Sequence, residues 1–245
     1  MKQNALITGA GRGIGAATAL ELGRRGFHVI VDYRDDAASA ASVVERVEEA
    51  GGTAHAVRAD VRHPGQVAEM VRECGRIDAL VCNANIRPPF APLAEMAWEE
   101  FSAKVTGELA AVFHITRLAL DVMRGQGGGR IVYVSSLSAD LLRPGTIAHA
   151  TAKAALDTFA RHVAAEAAPH GIAVNTVAPG GVRTDASASM RTPEAEEALA
   201  SRSILRRMLE PQDVAGVIGA LLGGGFDAVS GVRVAVDAGR GLFPG

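Results

Sequence analysis

Lysine is scarce in this chain: of 25 basic residues only Lys2, Lys104 and Lys153 are lysines, so arginine is its ordinary cation. Lys and Arg are not interchangeable where a compact ammonium must reach a defined point, which gives Lys153 some interest. Cysteine is scarcer still. Cys74 and Cys82 fall on different predicted elements, which predicts reduced, buried thiols and a cytoplasmic address. A net charge of −2 offers no electrostatic attraction to nucleic acid or to an anionic membrane surface. No apolar run approaches the ~20 residues that span a bilayer. The start, MKQNALITGAG, passes directly into a strand and a glycine-rich turn, so no signal peptide is expected. There is no composition shift, linker or internal repeat, and residues 1–245 read as a single domain long enough to bury a sizeable core.

What is present is alternation. Short apolar runs at 5–8, 28–33, 54–60, 78–83, 130–136, 172–178 and 232–237 read as buried strands. Between them lie amphipathic stretches such as GAATALELGRRG and AASVVERVEEAGG, several closing on glycine. Strand–helix alternation predicts one α/β domain, a doubly wound, seven-stranded parallel sheet with helices on both faces. Ligands in such sheets sit beyond the carboxyl ends of the strands. The irregular segment 184–210, after the sixth strand, is therefore a candidate substrate lid.

The first strand runs into TGAGRGIG, Thr8 to Gly15, which opens the first helix. Glycines 9, 11, 13 and 15 let the backbone turn sharply and approach a pyrophosphate at the helix N-terminus. Further on come Asp60-Val61, the run Cys82-Asn83-Ala84-Asn85, NTVAPGGVRTD from Asn175, and VAVDAGRG near the end. Together these motifs resemble the short-chain dehydrogenase/reductase family along the whole chain, with 3-oxoacyl-carrier-protein reductases the most similar subgroup. The resemblance implies a Rossmann-type fold. It assigns the dinucleotide to Thr8, Gly9, Gly11, Arg12, Gly13, Ile14 and Gly15, to Asp60 and Val61 at the adenine, and to Asn83, Ala84 and Asn85. Lys153 with Pro179, Gly180, Val182 and Thr184 would face the nicotinamide end.

NAD-binding members end the second strand on an acidic residue that holds the ribose hydroxyls. Here Tyr33 aligns with that place, not Asp32. Arg12 and Arg34 are placed to pair with a 2′-phosphate, so NADPH is favoured over NADH. Asp35 and Asp36 favour the other reading, in which both arginines are solvated. Asn85 stands where the family has glycine. Asn tolerates positive φ better than other non-glycine residues, so the turn is expected to survive with a side chain near the ribose.

In the family a serine holds the substrate carbonyl and a tyrosine protonates it. A lysine lowers the tyrosine's pKa and bonds the nicotinamide ribose, and an asparagine on the fourth helix holds a relay water. Ser136 and Lys153 match. His149 occupies the tyrosine position and Glu108 the asparagine position. The i, i+4 spacing of 149 and 153 sets both on one helical face. Tyr133 cannot substitute, since strand alternation turns it away. An imidazole must be protonated to act as a general acid, and Lys153 opposes that; Glu108 is expected to offset Lys153 and keep His149 protonatable. Three functions are consistent with this. The first is an NADPH-dependent ketoreductase using Ser136, His149, Lys153 and Glu108. The second is a cofactor-binding but redox-inactive subunit or scaffold, and the third a non-redox dehydratase, isomerase or cyclase. No metal is implied.

The substrate pocket is expected from loop 87–93, Leu137 to Leu142, Gly180-Gly181 and segment 184–210. Phe90, Leu93, Leu141, Leu142 and Met190 suggest a carbon skeleton, and core packing is an equal alternative. A β-keto acyl thioester, free or carrier-bound, or a polyketide-type ketone is the implied substrate. Arg202, Arg206 and Arg207 are either a set that meets a phosphate or an acidic carrier protein, or a solvated face. Positions that dock carrier proteins in the reductases are Gly127 and His170 here. The resemblance also implies a homodimer or homotetramer through helices at about 97–124 and 150–168, which carry Phe113, Leu118, Phe159 and Val163.

Overall fold

A computed structural model describes residues 2–184 and 192–242. Seven strands form one parallel sheet: β1 (Asn4–Ile7), β2 (His28–Tyr33), β3 (Thr53–Arg58), β4 (Ala79–Cys82), β5 (Gly129–Val134), β6 (Ile172–Pro179) and β7 (Arg233–Val236). Their order is β3-β2-β1-β4-β5-β6-β7, so the winding reverses between β1 and β4. Five of the seven strands end one or two residues before their apolar runs, whereas β2 ends with its run and β6 one residue beyond it. Ser135 and Ser136 lie past β5 because ladder pairing with β6 stops at Val134–Val177, and the chain then turns across the sheet's carboxyl edge.

Strand alternation sorts the core into two layers. Leu6, Ile30, Leu80, Ile131 and Tyr133 face α3 (Pro64–Cys74), α4 (Trp98–Gly125) and α5 (Ile147–Ala167). Ile7, Val29, Val31, Val81 and Val132 face α1 (Gly13–Arg24), α2 (Ala37–Glu49) and α7 (Pro211–Leu222). Full burial of each such side chain is worth about 1.5–3 kcal/mol. A sheet covered on both faces accounts for strands that read as continuous apolar runs. Short α6 (Pro193–Ser201) lies in the described part of the candidate lid. Both cysteines are free and buried, and burial pushes each thiol up to about 12. Among the described residues no helix is long and apolar enough to cross a membrane.

Candidate active site

The nucleotide end is built by the turn after β1. Gly9 has φ +62, and a Cβ there would stand 2.9 Å from Ala84 Cα, so only glycine lets this turn close on the loop after β4. That loop is fixed by polar ties. Thr8 Oγ1 accepts from the Asn83 and Ala84 N–H groups, both at 3.0 Å, and Asn83 Nδ2 donates to the Thr8 and Gly9 carbonyls. Helix α1 starts at Arg12 without a side-chain cap, which leaves its first backbone N–H groups to a ligand. A Cβ on Gly13 would come 3.3 Å from Thr184 Cγ2, so the glycine turn and the segment after β6 face each other. Pro179 closes β6, Gly180 N–H donates to Val236 O at 2.8 Å, and buried Val182 bridges to Leu209. These uncapped amides around a tight, glycine-rich turn fit the pyrophosphate of a dinucleotide.

Asp32 is no ribose ligand. Its buried carboxylate accepts the Gly9 N–H at 3.0 Å, and burial raises its pKa to about 7. Tyr33 ends β2 and packs against the α1/α2 layer. Arg34 and Arg12 differ in their freedom: Arg34 Nε lies 2.5 Å from Asp35 Oδ2, whereas Arg12 is exposed at the helix start. Asp60 is held by Arg62, which brings its pKa down to about 2, while Val61 is buried. Beside them Arg58 Nε donates to Arg34 O, and Arg34, Arg58, Arg62 and His63 line one depression with Asp35 and Asp60. The sequence reading had not singled out Arg58, which follows Val57 at the end of β3 and looks there like an ordinary strand-end arginine.

At the other end of the crevice His149, Lys153 and Glu108 form one cluster, and Ser136 follows two residues after Val134, whose carbonyl accepts from Lys153. Ser136 Oγ accepts the Ser138 N–H at 3.1 Å, leaving its own O–H to donate. Lys153 is buried on α5, where Nζ donates to Val134 O at 2.8 Å and sits 2.6 Å from Glu108 Oε1. The other Glu108 oxygen, Oε2, is 2.5 Å from Lys104 Nζ and accepts the Ile86 N–H at 3.2 Å. Glu108 and Lys104 are each 1% exposed. Burial alone would raise the Glu108 pKa, but Lys153 and Lys104 outweigh it and bring it down to about 2. Burial and the neighbouring Lys153 lower Lys104 to about 8 against the pull of Glu108.

Two expectations are corrected here. Glu108 does not keep His149 protonatable. Its carboxylate is held by two ammonium groups, and burial, Lys153 and Lys104 together lower the His149 pKa to about 4, with Glu108 opposing as the smallest influence. The cluster of two lysines and one carboxylate carries a net positive charge, which explains the direction. Asn85 does not use the left-handed region, since among the described residues only Arg206 and Ala238 do so without being glycine. Its Oδ1 instead accepts from Lys104 Nζ at 2.9 Å, which draws the side chain towards α4.

His149 Nδ1 is buried and has no hydrogen-bond partner, and the ring meets Phe90 edge-on at 6.5 Å. The 87–93 loop thus reaches the histidine. Phe90, Leu93 and Leu142 are exposed apolar side chains, while Leu137 is core; Met190 lies outside the described residues. Arg207 pairs with Asp213 and Arg206 Nη1 with Ser201 O, so neither is an uncommitted cation. Tyr133 is fully buried, 2.8 Å from Thr116 Oγ1, and takes no part in the site. On the proposed assembly faces Phe113 is half exposed, but Val163 is buried within its own subunit, because it points into the α3–α5 layer. Sequence reading missed Lys104 and also Arg233, which reaches from β7 to Asp140, Asp157 and Ser136 O. The signal for Lys104 was present: the second of only three lysines stands four residues before Glu108.

The family model described as enoyl-(acyl carrier protein) reductase matches residues 9–240. A hydroxynaphthalene reductase of Aspergillus fumigatus is 36% identical over 98% of this chain and 93% of its own length. A 3-oxoacyl-[acyl-carrier-protein] reductase of Synechocystis is 35% identical over 98% of both. Among solved structures, the angucycline C-6 ketoreductase LanV with bound NADP superposes with a TM-score of 0.91 and 33% identity, covering 98% of this chain and 96% of LanV. With its sheet order, glycine turn and Ser136–Lys153 framework, the chain belongs to the short-chain dehydrogenase/reductase family of oxidoreductases.

Proposed function

We propose that the protein is an NADPH-dependent ketoreductase acting on a polyketide-type or β-keto acyl ketone, with His149 in the place of the usual tyrosine. The observation that carries this reading is the unpartnered Nδ1 of His149 on the helix face that also presents Lys153. The relatives support the substrate class: they are named as reductases of a hydroxynaphthalene, a carrier-bound 3-oxoacyl group and an angucycline. The apolar rim of Phe90, Leu93 and Leu142 suits a flat carbon skeleton.

When bound, the nicotinamide supplies the hydride. Ser136 O–H donates to the carbonyl oxygen, and the neutral His149 ring adds a second N–H. Lys153 Nζ donates to Val134 O and stands in ion-pair contact with Glu108, which leaves an N–H for the cofactor ribose. The net positive charge of Lys104, Glu108 and Lys153 favours the oxyanion as it forms, because it is fixed in a water-poor site. Ser136 and the neutral His149 ring hold the alkoxide by hydrogen bonds while it takes its proton from water, and the ring keeps its own N–H. Arg12 and Arg58 are the cations best placed for a 2′-phosphate, since Arg34 is engaged by Asp35.

Turnover of NADPH and of NADH with a β-keto thioester and with a bicyclic aromatic ketone tests the reading. His149→Phe is expected to bind NADPH normally and to lose activity by about 10²–10³-fold, the loss of one donor to the oxyanion. Equal turnover in wild type and His149→Phe would overturn the role of the histidine. The depressed His149 pKa favours one second reading, a cofactor-binding protein without reductase chemistry. Its signature is tight NADPH binding with no turnover in wild type and turnover appearing in His149→Tyr.

A further inference from the structure

Lys104 has the partners of a completed structural element and the position of a functional one. Its ammonium is wholly buried and spends all three N–H donors: on Asn85 Oδ1 at 2.9 Å, Ile86 O at 2.7 Å and Glu108 Oε2 at 2.5 Å. Glu108 then continues to Lys153 through its other oxygen and returns to the loop through the Ile86 N–H. One unbroken polar chain therefore runs from the 83–86 loop, through α4, to the lysine on α5. The Asn85 amide orientation is fixed by this contact, because an ammonium can only donate and must meet the carbonyl oxygen. Asn85 stands where a bare glycine backbone would pass the cofactor, so the direction of its side chain decides whether that space is open.

We propose that Lys104 is a positioning residue for the nicotinamide end of the dinucleotide: it folds the Asn85 side chain onto α4 and locks the 83–86 loop to Glu108 and Lys153. This rests on the dinucleotide-dependent reading of the site. Lys104 touches neither substrate nor the reacting atoms. Its effect passes through Asn85, through the loop carbonyl and through the carboxylate it shares with Lys153. A buried charge is costly to desolvate and persists only when fully paired, and all four members of this chain are mutually paired. Met in place of Lys104 removes the charge and the donors at nearly constant volume, and leaves the Glu108–Lys153 pair in place.

The test is calorimetric titration with NADPH and with 2′,5′-ADP, a fragment that reaches only the adenine end. Lys104→Met is expected to weaken NADPH about tenfold, the loss of one charge-assisted contact, while 2′,5′-ADP changes less than about twofold. In an Asn85→Gly background the same substitution is expected to cost no more than about threefold, because there is no side chain left to hold aside. Asn85→Leu, which removes the acceptor without altering α4, gives the same split and decides the matter if Lys104→Met does not fold. Unchanged NADPH affinity in the folded variants overturns the proposal, as does equal weakening of both ligands. Wild-type protein that binds 2′,5′-ADP but not NADPH overturns it too. Wild type binding neither ligand overturns the dinucleotide reading itself, and this inference with it.

Discussion

His149 shows how one residue's neighbours set its chemistry. Above about pH 6.5 its ring is neutral whether the chain is folded or not. As pH falls from 6.5 towards 4 the unfolded chain takes up a proton that the folded site refuses, so stability declines with falling pH. The loss attributable to this ring reaches about 3 kcal/mol at most. Asp32 acts in the opposite sense: held near 7, it stays protonated in the fold while the unfolded carboxyl ionises above 3.8, so its contribution falls as pH rises. Comparing wild type with His149→Phe isolates the histidine. Unfolding by urea at pH 7 and at pH 4.5 should show the wild type losing more stability than the variant on acidification. Parallel losses would mean that the ring is not held neutral. In the sequence the i, i+4 spacing sets His149 beside Lys153, and the family resemblance brings Glu108 to them. The sequence cannot give the sign of the histidine's shift, because that is set first by burial and then by Lys153 and Lys104 against Glu108, and spacing on a helix face does not give burial.

Among the elements, the seven runs of buried apolar residues made the sheet readable, and the spacing of the glycines made the first turn readable. Strand ends were less so, because a run such as RIVYVSS continues past the last ladder pair into the loop that carries Ser136. The tie that holds this loop comes from far along the chain. Arg233 on β7 lies 2.7 Å from Asp140 and 2.8 Å from Asp157 and donates to Ser136 O at 3.0 Å, joining β7, α5 and the turn Leu137–Ala139. No local pattern announces such a contact. Arg233→Met should destabilise by about 2 kcal/mol at pH 8, since it strands a mostly buried Asp157. Burial already raises the Asp157 pKa, so protonation should relieve part of this loss at pH 5. Thermal unfolding at the two pH values checks it; an equal loss at both would point to packing rather than charge.

For the whole molecule, the reversal of winding between β1 and β4 opens a crevice at the carboxyl edge of the sheet, where the glycine turn, the loop after β4 and the segment after β6 converge. A ligand bridging these segments is bound by the folded chain alone. At one hundred times its dissociation constant NADPH should add about 2.7 kcal/mol. For a chain of 245 residues this corresponds to an unfolding midpoint raised by about 5–10 °C. NADH at the same concentration should raise it less, and an equal shift would remove the case for a 2′-phosphate site at Arg12 and Arg58.

Two of the three lysines lie sealed between α4 and α5, and only Lys2 is exposed. Acylating reagents should therefore tag the native protein at a single lysine side chain and at three once it opens. Intact-mass counting of those tags would time the parting of the two helices directly, with no engineered probe.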